Sequence, residues 1–280
     1  MPWSGTQSRR LRRLFLEGFL AMDVAEPLAS FDAHADARTV HDFMVLRDFD
    51  LVGIRQDGFV SGYALREDLL AGGLCADHLR PFDPREDCVP DTANLLDVVQ
   101  SLAINSRCFV AILDRVGAII TLSDLEKPPM RMFLFGIITM AEMLMTEILR
   151  HRYGDGSWRS LLSEQRLAKA GQLQEERSRR GQTIDLVDCL QFGDKGWILS
   201  YDEDIRLALG QESRRSMRKA IKELETLRNN LAHTQAIIPD GWQRIVIACS
   251  RFDRNLEALA DQWPLPKQPP SADLPEMLTT

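Results

Sequence analysis

The chain has 280 residues, of which 45% are hydrophobic and 27% are charged, and its formal net charge is −7. This is ordinary globular composition at a length typical of about two domains, so a wholly disordered chain is excluded. The charge is unevenly placed, because residues 1–127 carry 20 acidic and 13 basic side chains whereas residues 128–280 carry 21 of each. A polyanion would therefore meet less repulsion in the second part of the chain.

The cysteine pattern and the hydropathy bear on the compartment. Five scattered cysteines without a Cys-x-x-Cys pair argue against a disulfide framework and a zinc cluster. Since no apolar signal segment stands at the N-terminus, we expect a cytoplasmic protein. The most apolar stretch, residues 130–149, contains Arg131, Glu142 and Glu147, which favours a buried helix over a membrane span.

Residues 1–27 form a basic N-terminal segment, in which arginines 9, 10, 12 and 13 are interleaved with apolar side chains. The pattern is typical of a basic amphipathic helix. A solvated face on an ordinary helix, or a frayed tail, has the same composition and stays open as an alternative.

Residues 28–127 contain one order of elements twice: helix, strand, turn, strand, helix. The first copy has a helix at 37–46, strands at 51–54 and 59–63 about an Asp57-Gly58 turn, and a short helix from 66. The second has a helix at 91–104, strands at 108–112 and 118–121 about a turn at 114–117, and a helix from 122. Asp68 aligns with Asp124 at an offset of 56, but the first strands align at 58, which predicts a longer first hairpin. Two such units are expected to complete one core together.

Lys127-Pro128-Pro129 marks a domain boundary, because two prolines interrupt a helix and stiffen a joint. Beyond it the sequence predicts an all-helical domain over 128–263, with a glycine-broken loop at 191–197 and a proline-rich tail without regular structure at 264–280. The predicted helices are 130–153, 157–181, 183–192, 202–209, 212–235 and 241–263.

The doubled unit resembles the CBS domain pair, or Bateman module, over residues 28–127. The resemblance rests on Ala118-Ile-Ile-Thr-Leu-Ser-Asp124 and, more weakly, on Gly62-Tyr-Ala-Leu-Arg-Glu-Asp68, where Leu65 stands in place of the expected threonine. It implies an α+β fold of two β-α-β-β-α-type units that binds an adenine nucleotide as a regulatory ligand.

The residues of this segment suit a nucleotide. Thr121 and the amides that open the next helix would hold a phosphate, and Asp124 or Asp68 would accept the ribose hydroxyls. The alternative is structural: Thr121 is a good N-cap, and Asp124 in the first turn stabilises the helix dipole. The residues alone leave the two interpretations open.

The last long helix contains Arg228-Asn229-x-x-x-His233, which resembles the Arg-x(4–6)-His signature of HEPN-fold ribonucleases. The resemblance covers about residues 129–263 and implies a HEPN-like helical bundle that works as a homodimer through this domain. The tyrosine that follows the histidine by two residues in antitoxin-linked HEPN toxins is absent here, which disfavours that subgroup.

RNA cleavage needs these residue types. The ribose 2′-hydroxyl is the nucleophile, so an enzyme must move protons and neutralise charge on the phosphorane, tasks suited to His233 and to the fork of Arg228. Asn229 shares a helix face with His233 and would orient the imidazole or touch the phosphate. No metal is expected, because the five histidines show no ligand spacing. Residues 205–235 carry seven basic and three acidic side chains, which suits a phosphate backbone, although helix-face ion pairs would explain most of them equally well.

Two functions follow from these patterns. The first is a metal-independent endoribonuclease, a hydrolase regulated by an adenine nucleotide, that leaves 2′,3′-cyclic phosphate and 5′-hydroxyl ends and acts in defence or stress. The second is a non-catalytic nucleotide-sensing regulator whose helical bundle serves dimerisation, partner binding or RNA binding.

Overall fold

The computed structural model describes residues 13–15 and 17–233. Their contacts form two compact units, which divide in the sequence between Leu134 and Phe135. The predicted helix at 241–263, the proline-rich tail and most of the basic N-terminal segment lie outside the described residues. The domain bounds 1–27, 28–127, 128–263 and 264–280 stay predictions.

The first unit contains two four-stranded sheets, each built mainly by one copy of the repeat. In chain order its strands and helices are β1 (Glu26–Pro27), β2 (Ser30–Asp32), α1 (Ala37–Arg47), β3 (Leu51–Gln56), β4 (Phe59–Leu65), α2 (Arg66–Leu69), β5 (Arg80–Pro81), β6 (Cys88–Pro90), α3 (Leu95–Asn105), β7 (Arg107–Ile112) and β8 (Arg115–Thr121). A 3₁₀ turn at Leu122–Glu126 follows β8. In each repeat the strand before the helix pairs in parallel with the strand after it, and the last two strands form a hairpin. The predicted α+β class with two β-α-β-β-α-type units is confirmed.

The two repeats exchange short edge strands. β1 precedes the first repeat but pairs with β8 of the second, while β5 precedes the second repeat and pairs with β4 of the first. Prolines end both edge strands, and an edge is where a strand tolerates the missing donor. Each sheet is therefore completed by chain from beside the other repeat, so neither repeat is complete alone.

Both hairpins have two-residue loops, contrary to the prediction that the first is longer. The loops are Asp57-Gly58 and Leu113-Asp114, and all four residues have positive φ, as a type I′ turn requires. The strands β3 and β7 begin 56 residues apart, whereas the helices α1 and α3 begin 58 apart. The two extra residues therefore lie in the connection between α1 and β3.

Aromatic packing joins the repeats inside this unit. Tyr63 of β4 lies 5.1 Å from the buried Phe109 of β7, ring centroid to ring centroid, and Phe82 lies 4.6 Å from Phe109. Arg107 donates to the Tyr63 hydroxyl at 3.0 Å. Burial of these rings supplies a core that the two short sheets share.

The rest of the described chain, up to residue 233, is helical, as predicted. Its helices are α4 (Pro128–Arg152), α5 (Glu164–Arg179), α6 (Phe192–Leu199), α7 (Glu203–Ala208) and α8 (Arg214–Ala232), with 3₁₀ turns at Ser157–Leu161 and Leu186–Cys189. Three predictions are wrong in detail. The helix expected at 157–181 is a 3₁₀ turn at Ser157–Leu161 followed by the shorter helix α5. The helix expected at 183–192 is a single 3₁₀ turn, and the loop expected at 191–197 is helix α6.

α4 is long and apolar enough to span a membrane, but 61% of its most apolar window is buried. That burial is typical of the core helix of a folded domain.

Close packing explains why a glycine-rich segment forms α6. A Cβ on Gly196 would lie 2.5 Å from the Ile221 side chain of α8, and one on Gly193 would lie 3.2 Å from the Glu225 carboxylate. Glycine is less favourable in a helix than alanine by about 1 kcal/mol, so helix propensity alone predicts a loop here. Here the missing side chains let the two helices approach, and burial of Phe192 and Ile198 offsets the loss.

This packing predicts opposite effects for two glycine substitutions. Gly196→Ala should lower the free energy of unfolding by roughly 1–3 kcal/mol through the clash with Ile221. Gly171→Ala should raise it by about 0.5–1 kcal/mol, because a Cβ there meets nothing within 4 Å and alanine favours the helix α5. Urea denaturation followed by circular dichroism measures both, and equal effects would contradict the packing argument.

Candidate active site

The candidate catalytic residues lie at the C-terminal end of α8. Ser213 caps the start of this helix by accepting a hydrogen bond from the Ser216 amide. An apolar stripe along α8 packs against the rest of the domain. The buried residues of the stripe are Met217, Ile221, Leu224, Leu227 and Leu231. Arg228 and Asn229 occupy the last turns of α8, and His233 follows as the C-cap.

At the end of α8, Asn229 lies closer to His233 than Arg228 does in its direction around the helix. The His233 amide donates to the Asn229 carbonyl at 3.1 Å, and both side chains are exposed. Within the described residues no hydrogen bond joins Arg228 to His233. A separation of five residues turns the two side chains about 140° apart on an ideal helix, so a shared phosphate would have to bring them together.

Arg228 belongs to an ion cluster centred on Glu142 of α4. One Glu142 oxygen lies 3.5 Å from an Arg228 guanidinium nitrogen, and the other accepts from the Lys195 ammonium at 3.1 Å. The Lys195 side chain is only 5% exposed, whereas that of Arg228 is 36% exposed. Glu142 thus neutralises a buried lysine of α6 and still reaches the arginine of α8.

Burial makes the two halves of this cluster unequal. An ammonium removed from water has to be paired, so the Glu142–Lys195 contact is structurally required. The Glu142–Arg228 contact is longer and partly solvated, and such contacts exchange easily with other anions. Arg228 is held near the helix end by Glu142 and remains about one third exposed to solvent.

The sequence left the roles of Glu142 and Glu147 unassigned and missed Lys195. Glu147 pairs with Arg150, which also binds Asp188. Burial opposes the charge on Arg150, but the two carboxylates outweigh it and raise its pKa. Lys195 lies between glycines in a segment that reads as a loop, so nothing local marks it as a buried cation.

Thr121 and Asp124, the predicted nucleotide ligands of the second repeat, bind each other. Asp124 accepts from the Thr121 amide at 2.7 Å and from its hydroxyl at 3.0 Å, and its other oxygen lies 2.9 Å from the Lys127 ammonium. The Asp124 side chain is only 7% exposed. Asp124 thus closes the first turn after β8, as in the structural alternative, but the Thr121 hydroxyl donates to Asp124 and does not cap a backbone amide.

Asp68, the corresponding residue of the first repeat, faces a cavity of about 520 Å³. Arg80 donates to both of its oxygens, at 2.8 and 2.9 Å, and this bidentate hydrogen bonding lowers the pKa of Asp68. Glu67, Asp77 and His78 also line the cavity. Because Leu65 replaces the expected threonine, the sequence made this the weaker candidate site. The Asp68 carboxylate is nevertheless more exposed than that of Asp124.

Among residues 13–15 and 17–233 no group of three or more His, Cys, Asp or Glu side chains is placed to hold a metal ion.

Residues 139–257 match the model of the Swt1-like HEPN family. No curated protein matches the chain. The first part is similar in structure to several CBS-domain proteins, all at low overall superposition.

Three of these structures illustrate the similarity. CBSX2 of Arabidopsis thaliana, solved with AMP, is 19% identical with a TM-score of 0.34, covering 39% of this chain and 93% of its own. The CBS domain of a bacterial CNNM/CorC family Mg²⁺ transporter, solved with ATP, is 14% identical with a TM-score of 0.33, covering 43% and 92%. A hemolysin-like CBS protein of Oenococcus oeni is 14% identical with a TM-score of 0.33, covering 42% and 93%.

The chain combines the topology of a CBS-type pair with a following segment that matches the HEPN family model. The doubled β-α-β-β-α repeat with exchanged edge strands defines the first part, and the family match over 139–257 defines the second. This confirms the resemblance predicted from the sequence.

The ion cluster predicts a large effect for Glu142→Gln. The substitution leaves the Lys195 ammonium buried without its counter-charge, so we expect a loss of about 3–5 kcal/mol in the free energy of unfolding. Adding Lys195→Met should recover much of that loss in a double-mutant cycle measured by urea denaturation. Glu176→Gln, which breaks an exposed pair with Arg180, is the control and should cost less than about 1 kcal/mol. Equal costs for the two glutamates would contradict the structural role of Glu142.

Proposed function

We propose that the protein is a metal-independent endoribonuclease in which Arg228, Asn229 and His233 act on the scissile phosphate. The observation that supports this most is the position of the three residues. They lie together at the exposed end of one helix of a HEPN domain, with Arg228 restrained beside Glu142. RNA bound there as a single strand would present its phosphate to the guanidinium and the imidazole.

The chemistry uses the nucleophile of the substrate itself. The 2′-hydroxyl loses its proton and its oxygen attacks phosphorus, and the bond to the 5′-oxygen breaks as that oxygen gains a proton. His233 carries out one of the two proton transfers, and Arg228 stabilises the added negative charge. The products are a 2′,3′-cyclic phosphate and a 5′-hydroxyl. A two-fold homodimer along α8 would place two such pairs in one cleft and supply both proton carriers.

His233→Ala tests this proposal. Single-stranded RNA incubated with the wild-type protein in EDTA should be cut, and the variant should lose at least about 10²-fold in rate because the proton carrier is gone. Denaturing gels measure the rate, and phosphate-end analysis identifies the cyclic product. RNA carrying a single 2′-deoxy nucleotide should resist cleavage at that position.

His151→Ala is the matched control, because His151 is an exposed histidine at the end of α4. It should cleave like the wild type, and circular dichroism of both variants should be unchanged. A His233→Ala protein that cuts at the wild-type rate would remove His233 from the mechanism.

We further propose that an adenine nucleotide binds the CBS-type pair and regulates the cleavage. The AMP and ATP named with the similar structures are the ligands of those proteins, and the same ligand class suits the Asp68 cavity here. Asp68 would accept the ribose hydroxyls, with Arg80 moving to the phosphate. Three carboxylates and one guanidinium line that cavity, so AMP or adenosine fits its charge better than ATP. Thr121 and Asp124 form a second site only if Lys127 releases the carboxylate.

Nucleotide binding has its own test. At about one hundred times the dissociation constant AMP should stabilise the protein by about 2.7 kcal/mol, seen as a rise in melting temperature. Asp68→Asn should abolish the rise. Asp124→Asn should lower the melting temperature without AMP but keep the rise that AMP causes. A rise that depends on Asp124 alone would assign the ligand to the second repeat instead.

One observation favours the second function, a non-catalytic regulator. Arg228 contacts the Glu142 carboxylate, and this ion pair gives the arginine a structural role that does not require catalysis. In that case AMP would shift the melting temperature while RNA stays intact. If cleavage occurs, the toxicity of unrestrained RNA cutting makes nucleotide control appropriate to a defence or stress response in the cytoplasm.

A further inference from the structure

Arginine and aromatic side chains form a ladder in the HEPN domain, away from the end of α8. The guanidinium carbon of Arg218 lies 3.6 Å from the Trp197 ring centroid, and that of Arg166 lies 5.4 Å from it. On the other side, Arg218 and Arg214 lie 5.3 and 5.0 Å from the Tyr201 ring. Arg218 also donates to the Ser200 hydroxyl at 3.3 Å. Stacking fixes the guanidiniums before any ligand arrives, which lowers the entropic cost of binding an anion.

The ladder borders a cavity of about 430 Å³. Its lining includes four cations, Arg166, Lys169, Arg218 and Lys222. The two lining carboxylates reduce the local charge to +4 − 2 = +2, and Asp194 is already paired with Arg166 at 3.0 Å.

The two lysines complete the case for an anion. Lys169 and Lys222 are exposed, and neither has an ion-pair partner within residues 13–15 and 17–233. A cavity of this volume is in the range that holds a nucleotide-sized group. Fixed guanidiniums together with unpaired ammonium groups suit the negative oxygens of phosphates.

Helix geometry connects this cavity to the candidate active site. Arg218, Lys222, Glu225, Asn229 and His233 follow one another at spacings of three or four residues, so they lie along one stripe of α8 and its C-cap. The rise of an α-helix puts Lys222 roughly 16 Å along the axis from His233. That length suits a single strand that spans a few nucleotides between the two places.

We infer that the cavity beside Trp197 is a subsite for backbone phosphates of single-stranded RNA, a few nucleotides from the bond that is cut. This inference rests on the proposed function for its substrate. Lys169 and Lys222 bind the phosphates with Arg166 and Arg218. Trp197 is a positioning residue, since it holds the two guanidiniums in place.

The test measures binding separately from cleavage. In the His233→Ala background, fluorescence anisotropy follows a labelled 20-nucleotide RNA over a range of salt concentrations. Lys169→Ala/Lys222→Ala should weaken binding about fivefold or more in low salt, and should reduce the slope of log affinity against log salt by about 1.4, or 0.7 per lysine. The loss should be the same for different RNA sequences, because phosphates carry no sequence information.

A charge-matched control separates a defined subsite from general attraction. Arg215→Ala/Lys219→Ala removes two exposed cations from α8 that do not line the cavity, so it should leave affinity within twofold of the parent. An equal loss in both double variants would overturn the inference. Inorganic phosphate serves as one competitor, and AMP as another in a protein that also carries Asp68→Asn and so lacks the proposed regulatory site. Displacement of RNA by micromolar AMP in that background would overturn the inference in favour of a free-nucleotide site.

Cleavage by otherwise wild-type protein distinguishes the two proposals. A subsite for the substrate predicts that Lys169→Ala/Lys222→Ala raises KM for a 20-nucleotide RNA at least fivefold but leaves KM for a dinucleotide unchanged. Cleavage with an unchanged KM for both would overturn the subsite while the ribonuclease stands. Binding that depends on the lysines in a protein that never cuts RNA would support the subsite and remove the ribonuclease.

Discussion

One half-buried carboxylate, Glu142, organises the part of the HEPN domain that carries the candidate site. Glu142 neutralises Lys195, an ammonium that is almost wholly removed from water, and by doing so ties α4 to α6. α6 in turn packs closely on α8, because two glycines remove the side chains that would keep the helices apart. The placement of the end of α8 therefore depends on a charge that cannot be buried alone.

The same carboxylate sets the state of Arg228. Its contact with the guanidinium is longer than a good hydrogen bond and remains partly solvated, so it restrains the side chain without neutralising it irreversibly. Under the proposed function, a guanidinium restrained in this way would lose less freedom when a phosphate replaces the carboxylate. One oxygen of Glu142 thus pairs with the buried Lys195, and the other contacts the arginine to which the proposed function assigns phosphate binding.

The CBS-type pair shows that a repeated fold does not repeat its site. Both repeats place an aspartate three residues after the last residue of a hairpin strand, at Asp68 and Asp124. In one repeat the carboxylate closes on its own cap and on Lys127. In the other it turns to Arg80 at the edge of an open cavity. The cation that pairs with each aspartate, Arg80 or Lys127, therefore decides whether the carboxylate borders a cavity or closes a turn.

Local signals in the sequence were enough to determine the order of elements in the doubled unit, the Asp57-Gly58 turn and the helical nature of residues 128–232. The Arg228–His233 motif is a sequence signal too, and the function assigned to it stays a prediction. Each of these depends on residues within a turn or two of one another. The tertiary structure alone decided that a glycine-rich segment is helix α6, that Lys195 is buried against a carboxylate 53 residues away, and that Trp197 is stacked by arginines. These outcomes depend on the close approach of distant segments and on the removal of water between them. Neither effect produces a periodic pattern in the sequence.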